Sequence, residues 1–229
     1  MCCKWLEPLS PANPLLHSLR HSSKKRPDRF RQLKSHDIFI MLNNAVIFLI
    51  QTLCEFFAGM LLLRFCMQFS RVAARNPLSV FVQALTNFAV LPARRVIPGL
   101  WGLDLATLVL AWLVLVVETL LILLIKGAAL DSASAIATLF LMALVLLMRL
   151  AIYLAIGAIF LQVILSWVNP ASPMAPVVAA LTRPLLRPIQ RIVPPIGMVD
   201  LSPLVALLLL QLVLMVPLAY LERWVGAGF

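Results

Sequence analysis

The chain has 229 residues, of which 62% are hydrophobic and 12% are charged, and its mean hydropathy is +1.01. Soluble domains carry roughly 45–50% apolar and about 25% charged residues, so this composition excludes an ordinary soluble enzyme and a disordered chain. The net charge is +10, and arginines lie between the apolar segments, which favours membrane orientation and anionic lipid over nucleic acid as the cause of the positive charge. We therefore predict an integral membrane protein.

Residues 1–40 differ from the rest of the chain because they are basic and contain no apolar run long enough for a signal peptide. Their composition predicts a disordered extension, and a basic arm lying on anionic lipid is the functional alternative. Met41 directly precedes the first apolar segment, and a true translation start there would exclude the extension. All three histidines lie before Met41, so we expect no metal and no cofactor in the membrane body.

Apolar segments of about 20 residues are long enough to cross a bilayer. Residues 44–63, 105–125 and 201–221 each fit one such span. Residues 133–168 form a 36-residue apolar stretch broken only by Arg149. At about 1.5 Å per residue this stretch is too long for one simple span and too short for a comfortable hairpin.

The chain repeats itself at an offset of 96 residues, without a gap, and the matched positions include prolines, arginines and an aspartate. The matched pairs include Leu85-Thr86 with Leu181-Thr182, Pro92 with Pro188, Arg95 with Arg191, and Asp104 with Asp200. Chance does not readily place so many matches in one register, so the pattern indicates an internal duplication. The repeats are predicted to cover 41–126 and 127–229.

Each repeat is predicted to consist of a helix, a loop and a helix. The duplication therefore assigns the ambiguous residues 133–168 to the first helix of the second repeat. We predict an all-α membrane protein with about four transmembrane helices in two parallel helix-loop-helix repeats. The third span comes from about 140–165, and residues 126–138 form the turn between the repeats. The alternative is five spans, with residues 133–148 crossing separately.

Both loops inside the repeats contain arginines and no acidic residue, so the positive-inside rule places them in the cytoplasm. Arg183, Arg187 and Arg191 recur every four residues and would share one face of a helix. Pro184 and Pro188 limit that helix, so we expect a short, kinked segment in the headgroup layer. The alternative is that these arginines only fix the topology. The candidate residues for binding a partner or lipid headgroups are Arg94, Arg95, Thr182, Arg183, Arg187 and Arg191.

Asp104 and Asp200 occupy equivalent positions, each at the start of a predicted span. An acid at a helix N-terminus caps free N–H groups and interacts favourably with the helix dipole. Capping is therefore the first interpretation of both residues. The alternative for Asp200 is an ion pair with Arg187 or Arg191 that locks the loop against the helix.

Glu55, Glu118 and Arg149 lie inside apolar spans, where an unpaired charge costs about 2.5–3.5 kcal/mol or more. A pair between Glu55 and Arg149, or between Glu118 and Arg149, would reduce this cost and bring the repeats together. The alternative is a proton or cation relay. These charges do not repeat at the 96-residue offset, and few polar positions remain to line a pore.

Two motifs in the second repeat carry a family resemblance. TRPLLRPIQRIVP at residues 182–194, followed by DLSP at 200–203, resembles the signature of the YggT family, as does ILSWV at 164–168. The first repeat is similar through Leu63-Arg64-Phe65, Asn76-Pro77-Leu78 and Arg94-Arg95-Val96-Ile97-Pro98. The resemblance covers about residues 41–225.

The first copy departs from the pattern at Asn87-Phe88 and at Leu91, the position equivalent to Arg187. This difference indicates that the second loop retains the functional surface more completely than the first. The resemblance implies a small integral membrane protein of a family linked to osmotic-stress tolerance, cell division and, in plastids, haem attachment to a b-type cytochrome. It carries over no catalytic residue.

We therefore predict a non-enzymatic, multi-pass protein of the bacterial inner membrane that acts as an assembly or scaffold factor. The processes implied are cell division, envelope or osmotic-stress tolerance, and cytochrome maturation. Its predicted partners are anionic lipid and an unidentified membrane protein, with a homo-oligomer left open and nucleic acid excluded. The alternative is a small transport component for ions or osmolytes. A membrane enzyme is disfavoured because the sequence offers no nucleophile with a plausible base.

Overall fold

The computed structural model describes residues 26–72, 76–96, 104–127, 133–192 and 200–227. Every regular element in these ranges is helical, which confirms the all-α prediction. The α-helices are α1 Arg26–Phe69, α2 Pro77–Val96, α3 Leu105–Ile125, α4 Ala133–Val168, α5 Ala175–Ile192, α6 Ser202–Val213 and α7 Ala219–Gly226. A π-helical turn, Leu214–Leu218, lies between α6 and α7.

Four helical segments have the length and apolarity needed to cross a bilayer: Ile38–Phe69, Leu105–Ile125, Ala133–Val168 and Ser202–Gly226. They confirm the prediction of about four transmembrane helices. Large apolar side chains such as Phe56, Val117, Phe160 and Leu208 are exposed along them. Such side chains are suited to contact with lipid tails.

The chain divides into two compact units, Met1–Val46 and Ile47–Phe229. In the first unit, the described residues belong to the N-terminal part of α1. Residues 26–40, for which the composition predicts disorder, are part of this helix, and residues 1–25 lie outside the described residues. Helix extension needs no new nucleation once a helix has formed, and Pro27 lies in the first turn, where its missing N–H costs no helical hydrogen bond.

The fourth helix is one uninterrupted 36-residue element, about 54 Å long. The five-span alternative, with residues 133–148 crossing separately, is therefore wrong. The predicted turn at 126–138 is also too long, because residues 133–138 are already helical and residues 128–132 lie outside the described residues. This early start is physically reasonable, since residues 133–148 contain Ala, Leu and other good helix formers and no Gly or Pro.

Each repeat places a shorter helix between its two spans, α2 in the first and α5 in the second. The expected short segment is in fact an 18-residue helix with Pro184 and Pro188 inside it. Both prolines are exposed. The carbonyl groups that lose their helical partners lie four residues earlier on the same side, where polar surroundings can satisfy them.

The two shorter helices also start in corresponding ways. The Asn76 side-chain oxygen accepts a hydrogen bond from the Ser79 backbone N–H at 2.8 Å, before α2. The Ser172 hydroxyl accepts one from the Met174 backbone N–H at 3.3 Å, before α5. Asn and Ser satisfy free N–H groups at helix starts, and Asn76 and Ser172 are separated by the 96-residue offset.

The main core joins α1, α2, α3 and α4 within the second unit. Its buried residues include the small side chains Ala58, Ala111 and Ala143 beside Leu61 and Leu115. Helix association in a membrane depends on close packing rather than on the exclusion of water, and small side chains allow backbones to approach. The core therefore holds the two repeats together through packed apolar surface.

Two smaller clusters anchor the C-terminal elements on α4. Val145 of α4 packs with Leu218 and Val225, which precede and belong to α7. Further along α4, Ile159 packs with Leu186 of α5 and with α6. The same long helix thus positions both the last span and the amphipathic helix of the second repeat.

Replacing Leu115 with Ala should show how much packing in the main core contributes to stability. Leu115 is buried, so the Leu115→Ala change should lower the free energy of unfolding by about 2–5 kcal/mol through a cavity and lost contacts. Leu113→Ala is the matched control, because Leu113 is exposed on the same helix and should cost less than about 1 kcal/mol. Unfolding in mixed micelles with increasing denaturing detergent measures both, and equal losses would contradict this packing.

Candidate functional site

The arginine face of α5 is formed by Arg183, Arg187 and Arg191. All three arginines are exposed, and none makes a hydrogen bond or ion pair with the described part of the chain. Thr182 and Leu186 point away from the arginine row and are buried. Thr182, which the sequence groups with the arginines, is thus separated from their exposed face, because neighbouring residues on a helix point about 100° apart.

Thr182 instead attaches α5 to α4. Its hydroxyl contacts the side-chain amide oxygen of Gln162 and donates to the Val178 carbonyl at 3.0 Å. In the first repeat, the equivalent Thr86 is also buried and accepts a hydrogen bond from Arg64 at 2.7 Å. A buried hydroxyl needs such a partner, so each threonine fixes its helix to the preceding span.

Arg94 and Asp104 form an ion pair that closes the first repeat. The Arg94 Nε–H donates to the Asp104 carboxylate at 3.0 Å, and a second guanidinium nitrogen contacts the same oxygen. Asp104 is buried, whereas Arg94 is about half exposed. Asp104 makes no side-chain capping hydrogen bond to α3, so the capping interpretation of this residue is wrong. The adjacent guanidinium competes successfully for the carboxylate.

Gln190 and Asp200 form the corresponding contact in the second repeat. The Gln190 amide donates to the Asp200 carboxylate at 3.0 Å, and these positions are equivalent to Arg94 and Asp104 at the 96-residue offset. The predicted alternatives, Arg187 and Arg191, are not partners of Asp200 in the described structure. The duplication contained the signal for this contact, because it pairs Gln190 with Arg94.

Asp200 also accepts a hydrogen bond from the Ser202 backbone N–H at 2.9 Å, at the start of α6. Its carboxylate therefore accepts from the first N–H group of α6, while Leu201 occupies the N-cap position. The Ser202 hydroxyl and backbone N–H, together with the Gln190 amide, outweigh partial burial and lower the pKa of Asp200 from its ordinary value. The carboxylate is thus charged at neutral pH, and its contribution to stability is lost only as the pH falls through this lowered pKa.

A second polar site lies among the spans. Arg149 of α4 donates to Glu55 of α1 at 3.2 Å and to Glu222 of α7 at 3.3 Å. The structure thus brings together Glu55 and Arg149, one of the two predicted pairs. Glu222 was not predicted to take part, because the last span was expected to end at residue 221. The run of residues 222–225 without Gly or Pro was the available signal.

Glu118 of α3 belongs to the same site but has no ion pair among the described residues. Its side chain is 1% exposed, and its Oε2 atom has no hydrogen-bond partner in the described structure. Glu118 interacts electrostatically with Glu55, Arg149 and Cys54. The other predicted pair, Glu118 with Arg149, is therefore not formed at hydrogen-bonding distance.

The remaining predicted residue, Arg95, is exposed near the end of α2. No group of His, Cys, Asp and Glu side chains in the described ranges could hold a metal ion. Besides the contacts inside each repeat, the described ranges thus contain an exposed row of guanidinium groups and a carboxylate-rich cluster among the spans.

Comparisons with known proteins agree with the duplicated architecture. A family model described as CCB3/YggT matches residues 43–125 and again residues 141–221. An uncharacterised protein of Pseudomonas aeruginosa is 38% identical over 189 residues, covering 82% of this chain and 95% of that protein. An uncharacterised protein encoded beside proC in Vibrio alginolyticus is 36% identical over 169 residues, covering 73% of this chain and 90% of that protein.

The uncharacterised protein YggT of Escherichia coli K12 is 31% identical over 171 residues, covering 74% of this chain and 87% of that protein. None of these three names describes an enzymatic activity. No solved structure matches the chain. The two matched segments confirm the prediction of two tandem repeats.

The two equivalent aspartates should contribute different amounts to the free energy of unfolding. Asp104→Asn should lower the free energy of unfolding by about 1–2 kcal/mol, because Arg94 loses its buried charged partner while remaining half exposed. Asp200→Asn should cost less than about 0.5 kcal/mol, because Asn also caps helices well. Detergent unfolding of both variants makes the comparison, and a larger loss for Asp200→Asn would contradict it.

Arg149 should be required for stability. Arg149→Gln leaves Glu55 and Glu222 without their shared partner, and we expect a loss of about 2–4 kcal/mol. Arg223→Gln is the control, because Arg223 is exposed near the same cluster in sequence and should change stability by less than about 0.5 kcal/mol. Similar stability of the two variants would show that the ion pairs of Arg149 with Glu55 and Glu222 do not contribute to stability.

Proposed function

Because the chain belongs to the CCB3/YggT family, we propose that it is a non-enzymatic scaffold or assembly factor of the bacterial inner membrane. Its working surface is the arginine face of α5, which binds an acidic segment of a membrane-protein partner at the cytoplasmic side. Relatives in three bacterial species support the location, and the positive-inside rule supports the side of the membrane.

One observation carries this proposal: three guanidinium groups stand in a row with no acidic partner in the described structure. Residues four apart on a helix are separated by about 6 Å along its axis, so the row extends about 12 Å. Carboxylates spaced by one turn on a second helix would match it. Arginine suits this contact because its planar fork binds a carboxylate through two hydrogen bonds.

The arginine face is held in a fixed position, which favours specific binding. Thr182 joins α5 to Gln162 of α4, and Gln190 joins its end to Asp200. Leu186 packs between α4 and α6. A surface that is already ordered loses less conformational entropy when a partner binds.

The first repeat does not offer the same surface. Arg94 is engaged by Asp104, and Asn87 and Leu91 occupy the positions equivalent to Arg183 and Arg187. Duplication followed by divergence therefore left α2 with an arginine in an ion pair and α5 with a basic row that has no acidic partner among the described residues. This asymmetry supports α5 as the partner-binding element. The partner's identity decides whether the process is cell division, osmotic-stress tolerance or cytochrome maturation.

A photo-reactive residue at position 180 tests this proposal in native membranes. Ala180 lies on the same helix face, three residues before Arg183, and its replacement leaves Gln190 and all three arginines in place. Ala84, the equivalent position in α2, is exposed and carries the same side chain, so it is the matched control. We expect a discrete cross-linked membrane protein from position 180 and none from position 84, since only α5 carries the basic row.

The captured protein must depend on charge. The triple change Arg183→Gln, Arg187→Gln, Arg191→Gln should abolish the cross-link in protein that retains wild-type thermal stability. Cross-links to lipid alone would assign the arginines to headgroup anchoring and would remove the main support for the scaffold proposal. A protein adduct that survives the triple change would equally contradict it.

A further inference from the structure

The cluster among the spans contains three carboxyl groups and only one base. Glu55, Glu118 and Glu222 come from three different helices, and Arg149 comes from a fourth. Arg149 already shares its guanidinium between Glu55 and Glu222, at 3.2 and 3.3 Å. A single positive charge cannot neutralise three carboxylates, so at least one acid needs another way to remain in the membrane interior.

Burial identifies which acid this is. The side chains of Glu55 and Glu222 are 41% and 24% exposed, whereas Glu118 is 1% exposed. Its Oε2 atom is buried and has no hydrogen-bond partner in the described structure. An enclosed, unpaired carboxylate is among the costliest groups that a protein can bury.

The neighbouring groups do not offer Glu118 a second positive charge. Cys54 and Glu55 of α1 and Arg149 of α4 interact electrostatically with it. Of these, Glu55 repels a negative charge and Arg149 is occupied. No set of metal-binding side chains is found in the described ranges. Proton uptake remains as the means of removing the charge.

We propose that Glu118 is a proton-binding site, and that its buried Oε2 atom holds the proton. One O–H bond forms at the carboxylate while one O–H bond of a hydronium ion breaks and leaves water, so no oxidant or second reactant is needed. The site is single although the fold is duplicated, because the position equivalent to Glu118 at the 96-residue offset is Leu214.

Proton binding at Glu118 would bear on how the helices are joined. With the proton bound, Glu118 is neutral, and Arg149 remains available to Glu55 and Glu222. With the proton released, a third carboxylate competes for the same guanidinium. The occupancy of the site therefore biases the contacts that α4 makes with α1 and α7, independently of the arginine face of α5.

Infrared difference spectroscopy on the full chain in lipid vesicles tests the proposal. We expect a carbonyl band of a protonated carboxyl group at neutral pH, which shifts in D₂O and with ¹³C-labelled glutamate. Glu118→Gln should abolish this band, whereas Asp200→Asn, which removes an exposed acid, should leave it unchanged. Absence of the band from the wild-type protein, or its persistence in Glu118→Gln, would overturn the proposal.

Stability gives a second, independent result. The amide of glutamine is similar in size and charge to a protonated glutamate, so Glu118→Gln should retain the thermal stability of the wild-type protein at neutral pH. An ionised Glu118 engaged by Arg149 would instead make this change strongly destabilising. The labelled wild-type protein shows whether any glutamate is protonated even if Glu118→Gln does not fold. Persistence of the band in Glu55→Gln and in Glu222→Gln then assigns it to Glu118, and its loss in either variant would overturn the proposal.

Discussion

Arg149 is the constraint on which the arrangement of the spans depends. A guanidinium group inside apolar helices must find acceptors, and this one finds two, Glu55 and Glu222, on different helices. The first helix of each repeat and the last helix of the chain are thereby joined at one residue. Apolar packing could tolerate several rotations of these helices, whereas a shared ion pair selects one.

The π-helical turn before α7 contributes to the same selection. It contains Pro217, which lacks a backbone N–H, and a π turn accommodates one additional residue within a helix. Leu218 at the end of this turn, and Leu221 and Val225 after it, form a stripe that packs on α4. Glu222 lies beside this stripe and reaches Arg149. Local helix geometry, apolar packing and charge pairing thus agree on one register.

The sequence predicted the spans well because a bilayer imposes a length of about 20 apolar residues, and α3 has the predicted bounds. The duplication then identified the repeats. Hydropathy could not show that α5 continues through Pro184 and Pro188, because their tolerance depends on which side is exposed. It also could not choose Gln190 over Arg187 as the neighbour of Asp200. Opposite charge favoured arginine, whereas the rotation of α5 about its axis determines which side chain can reach the Asp200 carboxylate.

The unequal lengths of α3 and α4 have a consequence for the surrounding bilayer. α3 is about 31 Å long and matches an average hydrocarbon thickness, whereas its neighbour α4 is about 54 Å long. Even a tilt of about 40° would leave α4 spanning about 41 Å along the membrane normal. Part of α4 must therefore extend beyond the hydrocarbon layer or thicken it locally. Hydrophobic mismatch of this kind would give the protein a preference for thicker regions of membrane.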